Sequence, residues 1–236
     1  MYWNDKLKLL LSVYVDDYKM SGPKSTLANG WKLLRSGIDT EDPGPLSRYI
    51  GCDHEIKELP DGREISYGME PFFCQCLDKY SEVSGKPIHC TKALTPFLDD
   101  KRFTDEQINT IGILGMSACR VLMKILYGAR MYRYDLLKAT CMLAAMVTKW
   151  SVACDMMLYR LCCYIKCSLH YRLVGYICNK MSELNLSTWA DADLAGDRIS
   201  SRSTSGCLHA ITASKSYVPL AGQTKKQTCV SFSTLE

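Results

Sequence analysis

Lys8-Leu9-Leu10-Leu11-Ser12-Val13-Tyr14-Val15-Asp16-Asp17-Tyr18 is an apolar, β-prone run that ends on two adjacent carboxylates, just ahead of the breakers Ser21-Gly22-Pro23. The run reads as a strand, and the breakers close the segment. Adjacent carboxylates raise each other's pKa, and a bound divalent cation reverses that effect. Asp is also a common turn residue. Taken alone, Asp16 and Asp17 therefore favour a hairpin turn over a cation site.

Working outward, the 236 residues suffice for one large or two small domains, and a hydrophobic fraction of 47% is ample for a core. No apolar run approaches the ~20 residues of a membrane span, and no basic-then-apolar leader opens the chain. The expectation is an intracellular protein of cytoplasm or nucleus, without a membrane partner. A net charge of +4 permits a nucleic-acid partner without arguing for one. Thirteen cysteines would fit a secreted disulfide scaffold, but the total is odd. The spacings Cys74-x-Cys76, Cys162-Cys163 and Cys167 do not make paired C-x-x-C knuckles. Reduced, mostly buried thiols are expected.

After the opening run, Leu27 to Ile38 reads as a helix and Asp42-Pro43-Gly44-Pro45 breaks it. Arg48 to Ile56 reads as one extended segment, Pro60-Asp61-Gly62 as a turn, Arg63 to Gly68 as the returning strand, and Glu70 to Tyr80 as a helix. His54 and His89 lack a second ligand at metal spacing and are expected at the surface or hydrogen-bonded. Residues 105–169 read as helical. One apolar face holds Leu136, Leu137, Met142, Leu143, Met146 and Val147; another holds Met157, Leu158, Leu161, Cys162 and Ile165. These are core stripes.

The last part places carboxylates at a strand end again. Leu184 and Leu186 alternate with polar residues, and the run finishes in Trp189-Ala190-Asp191-Ala192-Asp193-Leu194-Ala195-Gly196-Asp197. Arg202-Ser203-Thr204-Ser205-Gly206 comes next, with strands expected from Cys207 to Ala213 and from Ser216 to Leu220. Lys225-Lys226-Gln227 and Ser233-Thr234-Leu235-Glu236 end the chain. On the residues alone this is a small β-meander with an acidic loop.

The motifs in order carry a resemblance. Tyr14-Val15-Asp16-Asp17 resembles the YxDD box of reverse transcriptases in its Ty1/copia form. Tyr49-Ile50-Gly51 with its returning strand, Thr95-Pro96, and Arg133-Tyr134-Asp135-Leu136 resemble successive copia segments, the last with Tyr134 where Pro is usual. Asp191-Ala192-Asp193-Leu194-Ala195-Gly196-Asp197, Arg202 to Gly206, Lys225 to Gln227 and Ser233 to Glu236 resemble the copia ribonuclease H pattern, with Leu194 in place of Trp. The chain thus resembles Ty1/copia-type retrotransposon Pol polyproteins, including the dinoflagellate copia-like group.

The resemblance implies an α/β (α+β) chain in three parts. Residues 1–100 would hold the end of the reverse-transcriptase palm with the primer-grip and thumb region. Residues 101–180 would form a helical connection, and 181–236 the start of a ribonuclease H-like sheet. It implies Asp16 as main metal ligand, Asp17 as secondary ligand, Tyr14 near the primer end, and Asp191 and Glu236 as catalytic carboxylates of the ribonuclease. Mg²⁺ or Mn²⁺ would be the cofactor; an RNA template, a DNA primer, an RNA/DNA hybrid, dNTP and the rest of the polyprotein would be the partners. Two ions about 3.5–4 Å apart can stabilise attacking and leaving oxygens in phosphoryl transfer. The upstream polymerase Asp and the later ribonuclease Asp residues have no counterpart in the 236 residues, so each site would hold part of its ligand set. The expectation is a polymerase-derived chain inactive by itself, against the alternatives of a working polyprotein segment or a scaffold reused for partner binding.

Overall fold

The computed structural model describes residues 1–90, 92–98, 102–196 and 201–230. Among them the fold is α+β, with six α-helices and two antiparallel sheets. The chain divides into two compact units, Met1–Glu55 and Ile56–Glu236.

The first unit opens with a three-stranded sheet, β1 (Tyr2–Asn4), β2 (Leu9–Tyr14) and β3 (Asp17–Ser21), in that order. Leu9 is its buried anchor at 3% exposure. Helix α1 (Lys24–Arg35) starts three residues before the expected Leu27. Pro23 presets the backbone at its cap. The Thr26 hydroxyl stands close to two carbonyls, that of Leu7 at 2.9 Å and that of Pro23 at 3.1 Å. Gly30 lets α1 approach the sheet closely: a Cβ there would stand 2.3 Å from Leu9 Cδ1 and 2.5 Å from Met20 Sδ.

The expected single extended segment from Arg48 to Ile56 is instead two strands, β4 (Arg48–Tyr49) and β5 (Cys52–Leu59). Tyr49 pairs with Cys52 across Ile50-Gly51. Both turn residues have positive φ, 53° and 72°, the requirement of a two-residue hairpin turn that matches strand twist. Gly51 supplies that conformation without steric cost.

Strand β5 runs into the second unit, whose sheet has the order β5-β6-β7-β10-β9-β8. Here β6 is Gly62–Gly68, β7 Leu173–Ile177, β8 Asn185–Asp193, β9 Thr204–Thr212 and β10 Tyr217–Lys226. Strand β7 has no forerunner in the sequence pattern, and it joins the sheet together. It pairs with β6 from Arg63↔Ile177 to Tyr67↔Leu173 and meets β10 at Tyr176↔Tyr217. Strands β8, β9 and β10 form the expected meander, and β10 extends past Leu220 to Lys226, with a bulge between Pro219 and Ala221.

Helices α2 (Glu70–Ser84), α3 (Asp105–Asn109), α4 (Ala118–Met131), α5 (Leu137–Ala145) and α6 (Val152–Cys167) complete the unit. Helix α2 outruns the expected Tyr80 because its stop is Gly85, left-handed at φ 64°. Helix α3 is closed by a capping box between Thr104 and Gln107. The core is helical: Phe73, Leu122, Ile125, Leu136, Leu158, Leu161 and Ile165 are fully buried. Helices α2 and α4 touch at Gly128, where a Cβ would lie 2.6 Å from the Phe73 ring. Asp155 of α6 ties down the preceding loop. Its carboxylate accepts from the Ile113 and Leu114 backbone N–H groups at 2.7 and 3.2 Å and from the Trp150 indole N–H at 2.7 Å.

Candidate functional site

The β2–β3 hairpin carries Tyr14-Val15-Asp16-Asp17 at its tip. Tyr14, the last residue of β2, pairs with Asp17, the first of β3, and Val15-Asp16 make a two-residue turn. Val15 has φ 52°. A β-branched residue is disfavoured there, and such strain persists only where the surroundings impose it. Tyr14 and Val15 are 58% and 75% exposed, and both carboxylates are exposed. Asp16 and Asp17 thus offer hard oxygen ligands to solvent from adjacent positions. That donor set suits Mg²⁺, which takes one or two carboxylates and completes its shell with water and phosphate oxygens.

The strand period places Asp17 and Lys19 on one face of β3, with Ser12 and Tyr14 on the matching face of β2. A polar cluster gathers on this side. Ser12 Oγ lies 2.9 Å from Tyr49 Oη, and Lys19 Nζ sits 5.4 Å from the centre of the Tyr49 ring. Lys19 Nζ also lies 3.3 Å from His54 Nε2, and His54 Nδ1 lies 2.9 Å from the Cys52 carbonyl. Nδ1–H donating to the carbonyl leaves Nε2 as acceptor for the ammonium. Burial first and the neighbouring Lys19 charge second hold the His54 pKa below its usual value, although the Cys52 carbonyl and Asp53 act the other way. Burial also lowers Lys19, opposed by Cys52. His54 is therefore a buried, hydrogen-bonded histidine as expected, while the exposed His89 lends its carbonyl to Tyr159 Oη at 3.0 Å. Lys19 is a member of this cluster that the motifs do not single out; its one sign in the sequence is its period-2 spacing from Asp17.

In the second unit, Asp191 lies in β8 opposite Gly206 and is exposed, its Oδ1 accepting from the Ala192 N–H at 2.9 Å. Asp193 lies on the same strand face and is engaged: Lys138 Nζ is 2.9 Å from Oδ2, and the Thr204 N–H donates to Oδ1. Burial would raise its pKa, but these two partners outweigh burial and lower it. Glu236 and Asp197 lie outside the described residues. Among the described residues, no group of three His, Cys, Asp or Glu side chains is placed to hold a metal ion. The structure brings Asp16, Asp17 and Tyr14 together in the first unit, and Asp191 belongs to the second. None of the thirteen cysteines is in a disulfide; Cys52, Cys76, Cys154, Cys162 and Cys163 are buried, so the thiols are reduced as expected but not mostly buried. No helix among the described residues is long and apolar enough to cross a membrane.

No protein-family model matches the chain, and no solved structure matches it. It is similar to an uncharacterized mitochondrial protein of Arabidopsis thaliana, AtMg00810. The two are 25% identical over 199 residues, which is 84% of this chain and 77% of the relative. At that identity over most of both lengths, the two are distant relatives.

Proposed function

We propose that this chain derives from the Pol polyprotein of a Ty1/copia-type retrotransposon, from the part that couples an RNA-directed DNA polymerase to ribonuclease H. One observation carries the reading: Tyr14-Val15-Asp16-Asp17 forms the tip of a hairpin, Tyr14 paired with Asp17 around the turn Val15-Asp16, with both carboxylates exposed. Adjacent carboxylates presented in this way supply the hard oxygen ligands that a phosphoryl-transfer site built on divalent cations uses. The ordered motifs from Asp191 to Gln227 support the ribonuclease part.

In this reading Asp16 and Asp17 would hold Mg²⁺ or Mn²⁺, which when bound neutralises charge on the transferred phosphoryl group. Tyr14 packs beside the primer terminus, and the partners are an RNA template, a DNA primer and dNTP. Asp191, with Glu236, would serve the RNA/DNA hybrid, and the working compartment is cytoplasm or nucleus. Two carboxylates make only part of a two-metal ligand set, and an incomplete set forfeits most of the electrostatic stabilisation. The chain by itself is accordingly a nucleic-acid-binding derivative without polymerase turnover.

The test is primer extension on an RNA template with Mg²⁺ or Mn²⁺, run beside the Asp16→Asn/Asp17→Asn double variant. No extension from folded protein is expected. Extension that vanishes in the double variant would overturn inactivity and point to a carboxylate supplied by another chain. A parallel filter-binding titration with a primer–template duplex checks the origin: no binding at low salt would remove the nucleic-acid reading.

A further inference from the structure

The sheet face that carries Ala190 and Thr188 holds a second constellation, independent of the carboxylates. Cys207 and His209 are two apart on β9 and share that face. Thr188 of β8 pairs directly with His209, and Ala190 pairs with Cys207; on the other side Gln223 of β10 pairs with Cys207. Cys207 Sγ lies 3.6 Å from His209 Nε2 and 3.9 Å from Gln223 Oε1, and His209 Nδ1 lies 2.8 Å from Thr188 Oγ1. A Thr188 oxygen accepting from Nδ1–H leaves Nε2 as a proton acceptor aimed at the thiol. Thr188 and Ala190 are exposed, so the face is open to a reagent. The next residue across, Ala190, is too small to cover the sulfur.

We propose that Cys207 is a nucleophilic thiol that forms mixed disulfides with low-molecular-weight disulfides, with His209 as its proton acceptor and Thr188 as the residue that positions His209. A thiol within reach of a base, the base itself held by a third group, is the arrangement of an activated nucleophile. In the exchange, His209 Nε2 takes the Cys207 proton and the sulfur attacks one sulfur of the disulfide. The Cys207–S bond forms as the reagent's S–S bond breaks. The leaving thiolate takes the proton back from the imidazolium, so Cys207 is oxidised and the leaving half is reduced. The buried thiols are poor competitors: burial pushes Cys76 up to about 12 and raises Cys162.

The experiment treats the whole chain with limiting dithiodipyridine, then with oxidised glutathione, and maps the modified cysteine by peptide mass spectrometry. Cys207 is expected to react first with both. The exposed Cys119 and Cys229 serve as internal references. Burial would raise the Cys90 thiol, but hydrogen bonds with Cys163, the Lys92 backbone and Cys167 hold it below the usual thiol range, so Cys90 is the direct competitor. Loss of the proton acceptor in His209→Ala should slow Cys207 about tenfold or more, with the reference rates unchanged. Added imidazole should restore much of that rate. Thr188→Val, an exposed change, should slow Cys207 a few-fold and provides the test if His209→Ala does not fold. First reaction at Cys90, Cys119 or Cys229 would overturn the proposal. So would an unchanged Cys207 rate in both variants, or a slowed one that imidazole does not rescue.

Discussion

Removing the Asp135 carboxylate should strand a buried guanidinium. The Arg133 side chain is 3% exposed, and its fork meets Asp135 with two bonds, Nε to Oδ1 at 2.9 Å and Nη2 to Oδ2 at 2.7 Å. Nη1 donates to the Ser168 carbonyl at 2.9 Å and Nη2 to Ser168 Oγ at 2.8 Å. The rings of Phe73, Tyr164 and Tyr171 surround it at 5.8, 5.6 and 5.3 Å. Tyr164 Oη donates to Asp135 Oδ2 at 2.9 Å, and burial together with that bond pushes the phenol up to about 12. Asp135→Ala deletes two charge-assisted bonds and the Tyr164 acceptor at once. Breaking one side of a buried pair costs about 3–5 kcal/mol. Asp135 is itself 36% exposed, so water enters the vacated space and the cost falls near the lower end, about 3 kcal/mol. At roughly 2–4 °C per kcal/mol for a unit of this size, Tm should drop by about 6–12 °C. Adding Arg133→Met removes the stranded charge and should recover at least half of the loss, since replacing a whole pair with apolar groups is often near neutral. Circular dichroism melts of the parent, the single variant and the double variant measure this. A drop below about 2 °C in the single variant, or a double variant no more stable than the single, refutes the reasoning.

Three further outcomes rest on the same physics. Val15→Gly should stabilise the β2–β3 hairpin by about 1 kcal/mol by releasing a strained positive φ; hydrogen exchange at the Ser12 and Lys19 amides, which face each other across the pair, should slow about fivefold, and no slowing would show that the turn is unstrained. Gly30→Ala should destabilise the first unit by about 1–2 kcal/mol, because a methyl group 2.3 Å from Leu9 Cδ1 outweighs the gain in helix propensity; faster exchange in α1 and β2 would show it, and slower exchange would contradict it. Asp193→Asn should lower the urea midpoint at pH 7 by an amount equivalent to about 0.5 kcal/mol, small because solvent screens the Lys138 pair. Asp193 has a folded pKa below its unfolded value, so its contribution is present above about pH 4 and disappears as pH falls through the lower folded value. The parent and variant midpoints should therefore converge as pH falls below about 4.

Local pattern and long-range pairing differ sharply in how far the residues disclose them. The β2–β3 hairpin was legible because an apolar run, the Asp16-Asp17 pair at its end and Gly22-Pro23 all act over a few residues. The helical core was legible for the same reason, since Leu158, Leu161, Cys162 and Ile165 repeat at helical spacing and are all buried. Strand β7 was not. Its five residues, Leu173-Val174-Gly175-Tyr176-Ile177, show no polar–apolar alternation, and the pairing with β6 and β10 on its two edges leaves no mark in the periodicity of one segment. The break at Ile50-Gly51 escaped notice because a β-branched residue at positive φ contradicts local preference and is held there by the β4–β5 pairing.

The candidate carboxylates show the same division at the level of a single group. In the sequence, Asp191 and Asp193 are equivalent members of one Asp-Ala-Asp run. Folding separates them: Lys138 from α5 and the Thr204 N–H from β9 engage Asp193, while Asp191 stays exposed with only its neighbour's N–H. A cation arriving at this strand end would have to displace an ammonium to reach Asp193, but not to reach Asp191, and at the other hairpin it would meet two exposed carboxylates in Asp16 and Asp17. Whether a carboxylate is available for metal chemistry is thus decided by residues far away in the chain, so assigning Asp191 rather than Asp193 as a ligand needs the cross-strand partners as well as the motif.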